Sequence, residues 1–255
     1  MPAIGRTIGI GIGNDADKVV RSAAAVEGKA QVICYCREGA VKGENARYGN
    51  VRILAGPDPH ERLVADLISG KIDAAVRGTL PANEVLRTLK RVCGVGHLER
   101  IALLETASGK KFFLTPVGVD EGWTVAEKLE LIRRGREIAR RFGLPDRVGI
   151  LSGGRLGDVG RHPQVDASLA EAELVAKLSG SIHCEILIED AVSSCGLIIA
   201  PDGISGNLIF RTLTFLGAGH GHGAPVLNIS RIFVDTSRAS PDYTNALMLA
   251  AALLD

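Results

Sequence analysis

LIIAPDGISGNLIFRTLTFLGAGHGHGAPVLNISRIFVDTSRASPDYTN, residues 197–245, is the stretch whose reading decides the fold. It opens with an apolar run, 197–200, and the turn pair Pro201-Asp202. Gly206-Asn207 then start a helix-like run that ends in the glycine-rich loop 217–223. A second apolar stretch, 229–234, leads into Asp235-Thr236-Ser237-Arg238 and another helix start. Twice, a strand runs into a polar turn that caps a helix. Such turns gather backbone N–H groups and short polar side chains at strand C-terminal ends, where open α/β sheets bind anionic ligands. The sequence therefore places its functional site here.

Outward from this stretch the same alternation continues, as in a mostly parallel sheet covered by helices in a three-layer α/β arrangement. Residues 6–13, 31–35 and 72–76 read as strands, and 15–27, 59–69 and 81–91 as helices. Residues 100–105 and 111–117 flank the turn Ala107-Ser108-Gly109 and predict an antiparallel hairpin. Thr124, with Glu127 three residues on, predicts a capping box at the head of an amphipathic helix reaching Phe142. Gly143-Leu144-Pro145 ends that helix, and 147–151 begins the next strand. A domain boundary is expected near Gly143.

Composition excludes several classes. Thirty basic residues face 29 acidic ones, without a basic tail or stripe, so a nucleic-acid partner has no electrostatic support. No apolar run reaches the roughly 18 residues of a membrane span, and MPAIGRTIGIGIG lacks the parts of a secretory signal. Five cysteines do not suggest a disulfide framework, and a cytoplasmic location is expected. Gly9, Gly11 and Gly13 have the spacing G-x-G-x-G rather than that of a dinucleotide site. His220-Gly221-His222 has no obvious third ligand, so no metal site is expected. Cys34 and Cys36 alternate along a strand and read as ordinary buried thiols, as do Cys184 and Cys195.

Three segments carry a family resemblance: IARRFGLPDRVGILSGGRLGD, CGLIIAPDGISGNLIFR and VDTSRASPDYTNALMLAAAL. In that order and at those separations they resemble the phosphate acetyl/butyryl transferase family, from about residue 72 to the end. SGGRLGDVGRHPQVDASLAEAE is more closely similar to the MtxX-type methyltransferase-related family, also called methanogenesis marker protein 4. The resemblance implies an isocitrate/isopropylmalate dehydrogenase-like fold of two domains with an interdomain cleft. On this chain the outer domain would be 1–146 plus 231–255 and the inserted domain 147–230. A homodimer is also implied.

Each motif has a structural reading beside its functional one. Ser237-Arg238 reads as a cap beside a surface arginine, or as an anion site in which a guanidinium fork meets phosphate or carboxylate oxygens. The resemblance implies that Asp242 is the base that takes a thiol proton; otherwise it is a first-turn acid stabilising a helix. Asp202, Gly206 and Asn207 form a turn and cap, or a ligand contact with Arg211 on the same helix face. Ser152, Gly153, Gly154 and Arg155, following a strand, suit a phosphate-bearing ligand or a hinge. Arg77, at the end of strand 72–76, is a further anion-binding candidate.

The reading that follows is a phosphotransacetylase-like transferase acting on an acyl-phosphate, coenzyme A-type or other phosphorylated small metabolite, with no tightly bound cofactor. Coenzyme A would be a substrate. The alternative is an accessory or non-catalytic protein linked to archaeal methyl-transfer metabolism, with a methyltransferase-system partner. A metal- or nicotinamide-dependent dehydrogenase on the same fold is disfavoured by the weak His and Gly patterns.

Overall fold

The computed structural model describes residues 5–41 and 48–255. In chain order the first elements are β1 (Thr7–Gly11), α1 (Ala16–Ala24), β2 (Gln31–Cys36), β3 (Val51–Ala55), α2 (Pro59–Ile68), β4 (Ala74–Val76) and α3 (Ala82–Cys93). Next come β5 (Ala102–Glu105), β6 (Lys111–Thr115), α4 (Val125–Arg141), β7 (Val148–Ile150), α5 (Pro163–Ser179), β8 (Ile182–His183) and α6 (Ile188–Ser194). The last are β9 (Leu197–Ile199), α7 (Gly203–Phe215), β10 (His220–Gly221), β11 (Ala224–Pro225), β12 (Ile232–Asp235) and α8 (Thr244–Ala252). They form two compact units, one of residues up to Leu98 with His222–Asp255, the other Glu99–Gly221.

The first unit holds a sheet in the order β11-β12-β4-β1-β2-β3, parallel except for β11. Its glycine repeat has a packing cause. A side chain at Gly9 would fall 2.5 Å from Ile72 Cδ1 and 2.7 Å from Leu63 Cδ1, and one at Gly11 would meet Leu80. The glycines thus let α2 and its neighbours lie against β1, in a core that includes Tyr35, Leu63, Leu67, Leu89 and Phe233. Strand alternation turns Ile8 and Ile10 to the opposite face. There α8, apolar on almost every side, packs on the sheet beside α1.

The second unit holds a sheet in the order β10-β5-β6-β9-β7-β8. Strands β6, β9, β7 and β8 are parallel, and β5 forms the expected antiparallel hairpin with β6. Helix α4 starts at the predicted capping box, where Thr124 Oγ1 accepts from the Glu127 N–H and Glu127 accepts from the Thr124 N–H. Lys128 on α4 is buried and ion-paired to Glu171 on α5 at 2.6 Å.

The unit boundaries differ from those expected at 146 and 231; the chain divides at Leu98/Glu99 and at Gly221/His222. The cause is strand pairing. Phe113, Leu114 and Thr115 on β6 lie in parallel register with Leu197, Ile198 and Ile199 on β9, which draws the hairpin and α4 into the second sheet. Strand β3 and helices α5 and α6 were not foreseen. The helix expected to open at Gly206 begins at Gly203, capped by Asp202.

Candidate functional site

In the first unit, β1 is followed on one side by β2 and β3, while the chain crosses to the other side of β1 for β4 and then β12. This reversal marks the carboxyl ends of β1 and β4 as the position where such sheets form a crevice. The structure knits these ends together. Thr79 Oγ1 accepts from the N–H groups of Gly13 (2.9 Å) and Asn14 (3.3 Å) and donates to the Asn14 carbonyl (2.6 Å). Gly78 has φ +61°, and a side chain there would strike the Gly11 carbonyl. Gly13 likewise leaves no room, with the Thr79 carbonyl 2.5 Å from the position of a Cβ.

Arg77, expected as an anion ligand, is buried and engaged within the unit. Its Nε donates to Asp235 Oδ1 at 2.5 Å and its Nη1 to the Leu80 carbonyl at 2.8 Å. Asp235 Oδ1 also takes the Thr236 N–H, and Thr236 Oγ1 donates to the Gly78 carbonyl. The fork of Arg77 thus joins the ends of β4 and β12 instead of being presented to a ligand.

Beyond β12 the chain comes to the surface with Ser237 half-buried and Arg238 and Asp242 exposed. The backbone here is pinned from α1. Lys18 Nζ donates to the carbonyls of Ser240 (3.1 Å) and Arg238 (3.4 Å), pairs with Asp15 and lies 5.4 Å from the centre of the Tyr243 ring. Tyr243 is buried; its hydroxyl donates to the Ser237 carbonyl and its N–H to Ser22 Oγ. Ser237 Oγ accepts the Ala239 N–H, which leaves its own hydrogen available to a ligand. Among the described residues, the Arg238 guanidinium has no hydrogen-bond or ion-pair partner. Asp242 is not inside the helix as expected but two residues before α8, where its Oδ1 accepts the Thr244 N–H at 2.9 Å.

In the second unit, Ser152, Gly153, Gly154 and Arg155 follow β7. Ser152 and Gly154 are buried, Gly153 and Arg155 exposed. The loop rests on the first turns of α5: the Gly153 N–H donates to Ser168 Oγ at 2.8 Å, and a side chain at Gly154 would meet Val165. The Arg155 N–H donates to Asp158, whose carboxyl is held below its usual range by that bond and by Arg161. Ser152 Oγ also meets His183 on β8, and His183 meets Glu173 on α5.

The second constellation of the same unit is committed to packing. Asp202 Oδ1 caps α7 through the Ser205 N–H, and Asn207 Nδ2 donates to the Val117 carbonyl at 2.9 Å. Gly203 and Gly206 bring α7 against the carbonyls of Gly118 and Pro116, where no side chain fits. Arg211 is exposed and stacks over the Phe215 ring at 5.3 Å. Of the two charged residues here, Asp202 is spent on the cap and Arg211 is exposed.

Several contributors escaped the sequence reading. Lys18 and His183 belong to no quoted motif and reach residues far along the chain, Lys18 the carbonyls of Arg238 and Ser240 and His183 the hydroxyl of Ser152; Thr79, Tyr243 and Glu173 lie in or beside motifs that gave them no role. The cysteines are free thiols, and burial pushes Cys34 up to about 12 and Cys184 up to about 11. Neither is a thiolate near neutral pH.

No family model matches the chain. A Methanosarcina barkeri protein named "Putative methyltransferase mtx subunit X" is 46% identical over 254 residues, covering 96% of this chain and 92% of the relative. A Methanosarcina acetivorans protein of the same name is 47% identical, covering 96% and 89%. Among solved structures, a branched-chain phosphotransacylase from Enterococcus faecalis aligns with a TM-score of 0.74 at 18% identity, covering 98% of this chain and 99% of that one. An isocitrate dehydrogenase from Methylococcus capsulatus aligns at 0.57 and 13% identity, covering 98% and 84%. At such identities the structural likeness establishes the fold alone. That fold is the mostly parallel α/β architecture of the phosphotransacylases and isocitrate dehydrogenases. No helix among the described residues is long and apolar enough to cross a membrane.

Proposed function

The chain belongs to the mtx subunit X family, and on that premise we propose that it is a phosphotransacylase-like transferase acting on an anionic, acyl-phosphate or coenzyme A-type metabolite. The observation that carries this reading is Arg238. A guanidinium is exposed without a partner among the described residues, on backbone that Lys18 and Tyr243 hold in place. Held backbone and a planar fork together suit a phosphate group.

In the proposed reaction Arg238 and the Ser237 hydroxyl hold the phosphate. Asp242 takes the proton of the attacking thiol. The thiolate sulfur bonds to the acyl carbonyl carbon, the carbon–oxygen bond to phosphate breaks, and phosphate leaves with its charge offset by Arg238. Arg155, beside Ser152, Gly153 and Gly154, is an anion contact of its own unit, and Arg211 is a second cation there. No cofactor is needed; coenzyme A would be a substrate.

The test is thiol-dependent consumption of acetyl phosphate. Activity that disappears in Arg238→Ala and Asp242→Ala supports the reading, as does thermal stabilisation by coenzyme A or phosphate. Absence of both sinks it. A second reading, an accessory component of methyl transfer, is favoured by the name of the relatives, which calls them methyltransferase subunits. Co-purification with a methyltransferase, with no turnover and no coenzyme A shift, would decide for it.

We also propose self-association through α7 and the residue that follows it, which together expose Ile204, Leu208 and Leu216. Light scattering of Leu208→Glu against the unaltered chain tests this: the substitution should shift the mass toward the monomer.

A further inference from the structure

His183, the last residue of β8, lies at the centre of a hydrogen-bonded chain that the proposed transfer does not use. Its Nε2 is 2.9 Å from Ser152 Oγ, and its Nδ1 is 3.0 Å from Glu173 Oε2. Ser152 Oγ also lies 2.9 Å from the Gly154 carbonyl oxygen, in donating geometry. The parallel register that pairs Ile150 with His183 brings the imidazole and Ser152 to the same end of the sheet.

The atoms are those of a nucleophile, a base and an orienting carboxylate. Two facts turn them to another use: Ser152 is only 2% exposed, and its hydroxyl has the Gly154 carbonyl as a second partner. A hydroxyl carries one hydrogen, so the protons can be counted. An ionised Glu173 only accepts, so Nδ1 must carry a hydrogen to meet it. Of the two neutral tautomers, the one with its hydrogen on Nε2 gives up the Glu173 contact; in the one that keeps it, Nε2 is bare. Ser152 turns its hydrogen to Nε2, and the carbonyl of buried Gly154 loses its donor. In the imidazolium both ring nitrogens donate, and the Ser152 hydrogen is free for Gly154. All three contacts coexist only with His183 protonated.

The rest of the loop is held by groups other than the imidazole. The Ser152 N–H donates to the Glu185 carbonyl, the Gly153 N–H to Ser168 and the Arg155 N–H to Asp158. The Gly154 carbonyl is the point where the hold passes through His183. Of the elements packed against β8, β7 carries no charged side chain. Helix α5 carries Glu173 itself, Asp166 bonded to the Gly160 N–H, Glu171 paired with Lys128, and Lys177 in its last turn. Glu185, just past the strand, accepts from the Leu156 N–H.

We propose that His183 is a positioning residue whose proton, acting through Ser152, fixes the Gly154 peptide ahead of Arg155 and couples anion binding at this loop to pH. The anion part rests on the reading of the loop as an anion contact. The sign follows from the proton count. The chain is complete with the imidazolium, and the hold on Gly154 is lost when the imidazole gives up that proton.

Sulfate is the probe, because its charge is constant between about pH 5 and 8, the range in which histidine titrates. Amide NMR spectra follow sulfate binding and the Gly154 and Arg155 signals, and ring-nitrogen spectra follow His183. Sulfate affinity should fall about tenfold as the imidazole loses its proton, the worth of a charged hydrogen bond. The Gly154 and Arg155 signals should shift with the same midpoint. His183→Gln, whose amide donates to Ser152 at every pH, should keep the low-pH affinity with a flat profile. Ser152→Ala should be flat at the weaker level. Loop signals indifferent to the imidazole, or an unaltered slope in His183→Gln, overturn the proposal. Loop signals that follow the imidazole without sulfate binding uphold the positioning and overturn only the anion reading of the loop.

Discussion

Arg77 Nε and Asp235 Oδ1 stand 2.5 Å apart in a buried ion pair that joins the end of β4 to the end of β12. Arg77 spends a further N–H on the Leu80 carbonyl, and Asp235 takes the Thr236 N–H, so each charge has a second hydrogen bond. Removing one partner leaves the other charge buried without its counterion, which costs about 3–5 kcal/mol. Arg77→Leu and Asp235→Leu should each lower the unfolding free energy obtained from urea titration by that amount, while the double substitution recovers much of it. Amide exchange on β4 and β12 should accelerate in the single variants and less so in the double.

Gly135 sits in the middle of α4, where alanine is ordinarily favoured by about 1 kcal/mol. Here the sign should reverse. A Cβ would fall 2.7 Å from Leu197 Cδ2 on β9, and Leu197 is buried. Overpacking of this kind costs about 1–3 kcal/mol. Gly135→Ala should therefore destabilise the chain in denaturant titration. The same substitution on a Leu197→Val background should cost less, because the clashing atoms are farther away.

What the sequence made legible, and what it hid, follows from the range of the interactions. Local rules found the capping box of Thr124 and Glu127, the β5–β6 hairpin and the alternation of strands and helices. Strand β3 was missed because its five residues, Val51–Ala55, are all at least partly exposed and give no clean apolar face. Helix α5 was missed because its buried face is Leu169, Ala172, Val175 and Ala176, half of it alanine, which dulls the periodic signal. The boundary near Gly143 looked natural because a helix ends there. Only the pairing of β6 with β9 reveals that the hairpin belongs to the second sheet. The site was legible as loops and not as chemistry: Arg77 and Arg238 look alike in sequence, and only burial separates them.

Tyr243 gives a prediction at alkaline pH. Burial is the main cause that raises its phenol from 10 to about 12, against the lowering effect of Arg77 and Arg238. Between these values the folded state retains a proton that the unfolded state has lost. Stability from this group is thus complete below about pH 10 and declines as pH rises toward 12. Tyr243→Phe should remove one ultraviolet phenolate step near pH 12 and flatten that decline. Below pH 10 it should cost about 1 kcal/mol, the worth of the lost hydrogen bond to the Ser237 carbonyl.

Lys18 and Arg238 separate the scaffold of the anion loop from its charge. Arg238 is exposed and its guanidinium makes no hydrogen bond or ion pair among the described residues, so Arg238→Ala should change stability by no more than about 0.5 kcal/mol. It should nonetheless abolish phosphate binding measured by calorimetry. Arg238→Lys keeps the charge but not the planar fork, and should bind with intermediate affinity. Lys18→Met keeps most of the apolar stem that lies against Tyr243 but removes the ammonium from the carbonyls of Arg238 and Ser240. If the loop must be held to bind, affinity should fall with Arg238 still present. The loss of one positive charge would by itself weaken anion binding, so the matching control is Arg21→Met, an exposed change of equal charge on the same helix. Lys18→Met should weaken phosphate binding by about tenfold more than Arg21→Met does, the equivalent of about 1.4 kcal/mol. Equal effects of the two would reduce Lys18 to a distant charge and leave the Arg238 loop without a held scaffold.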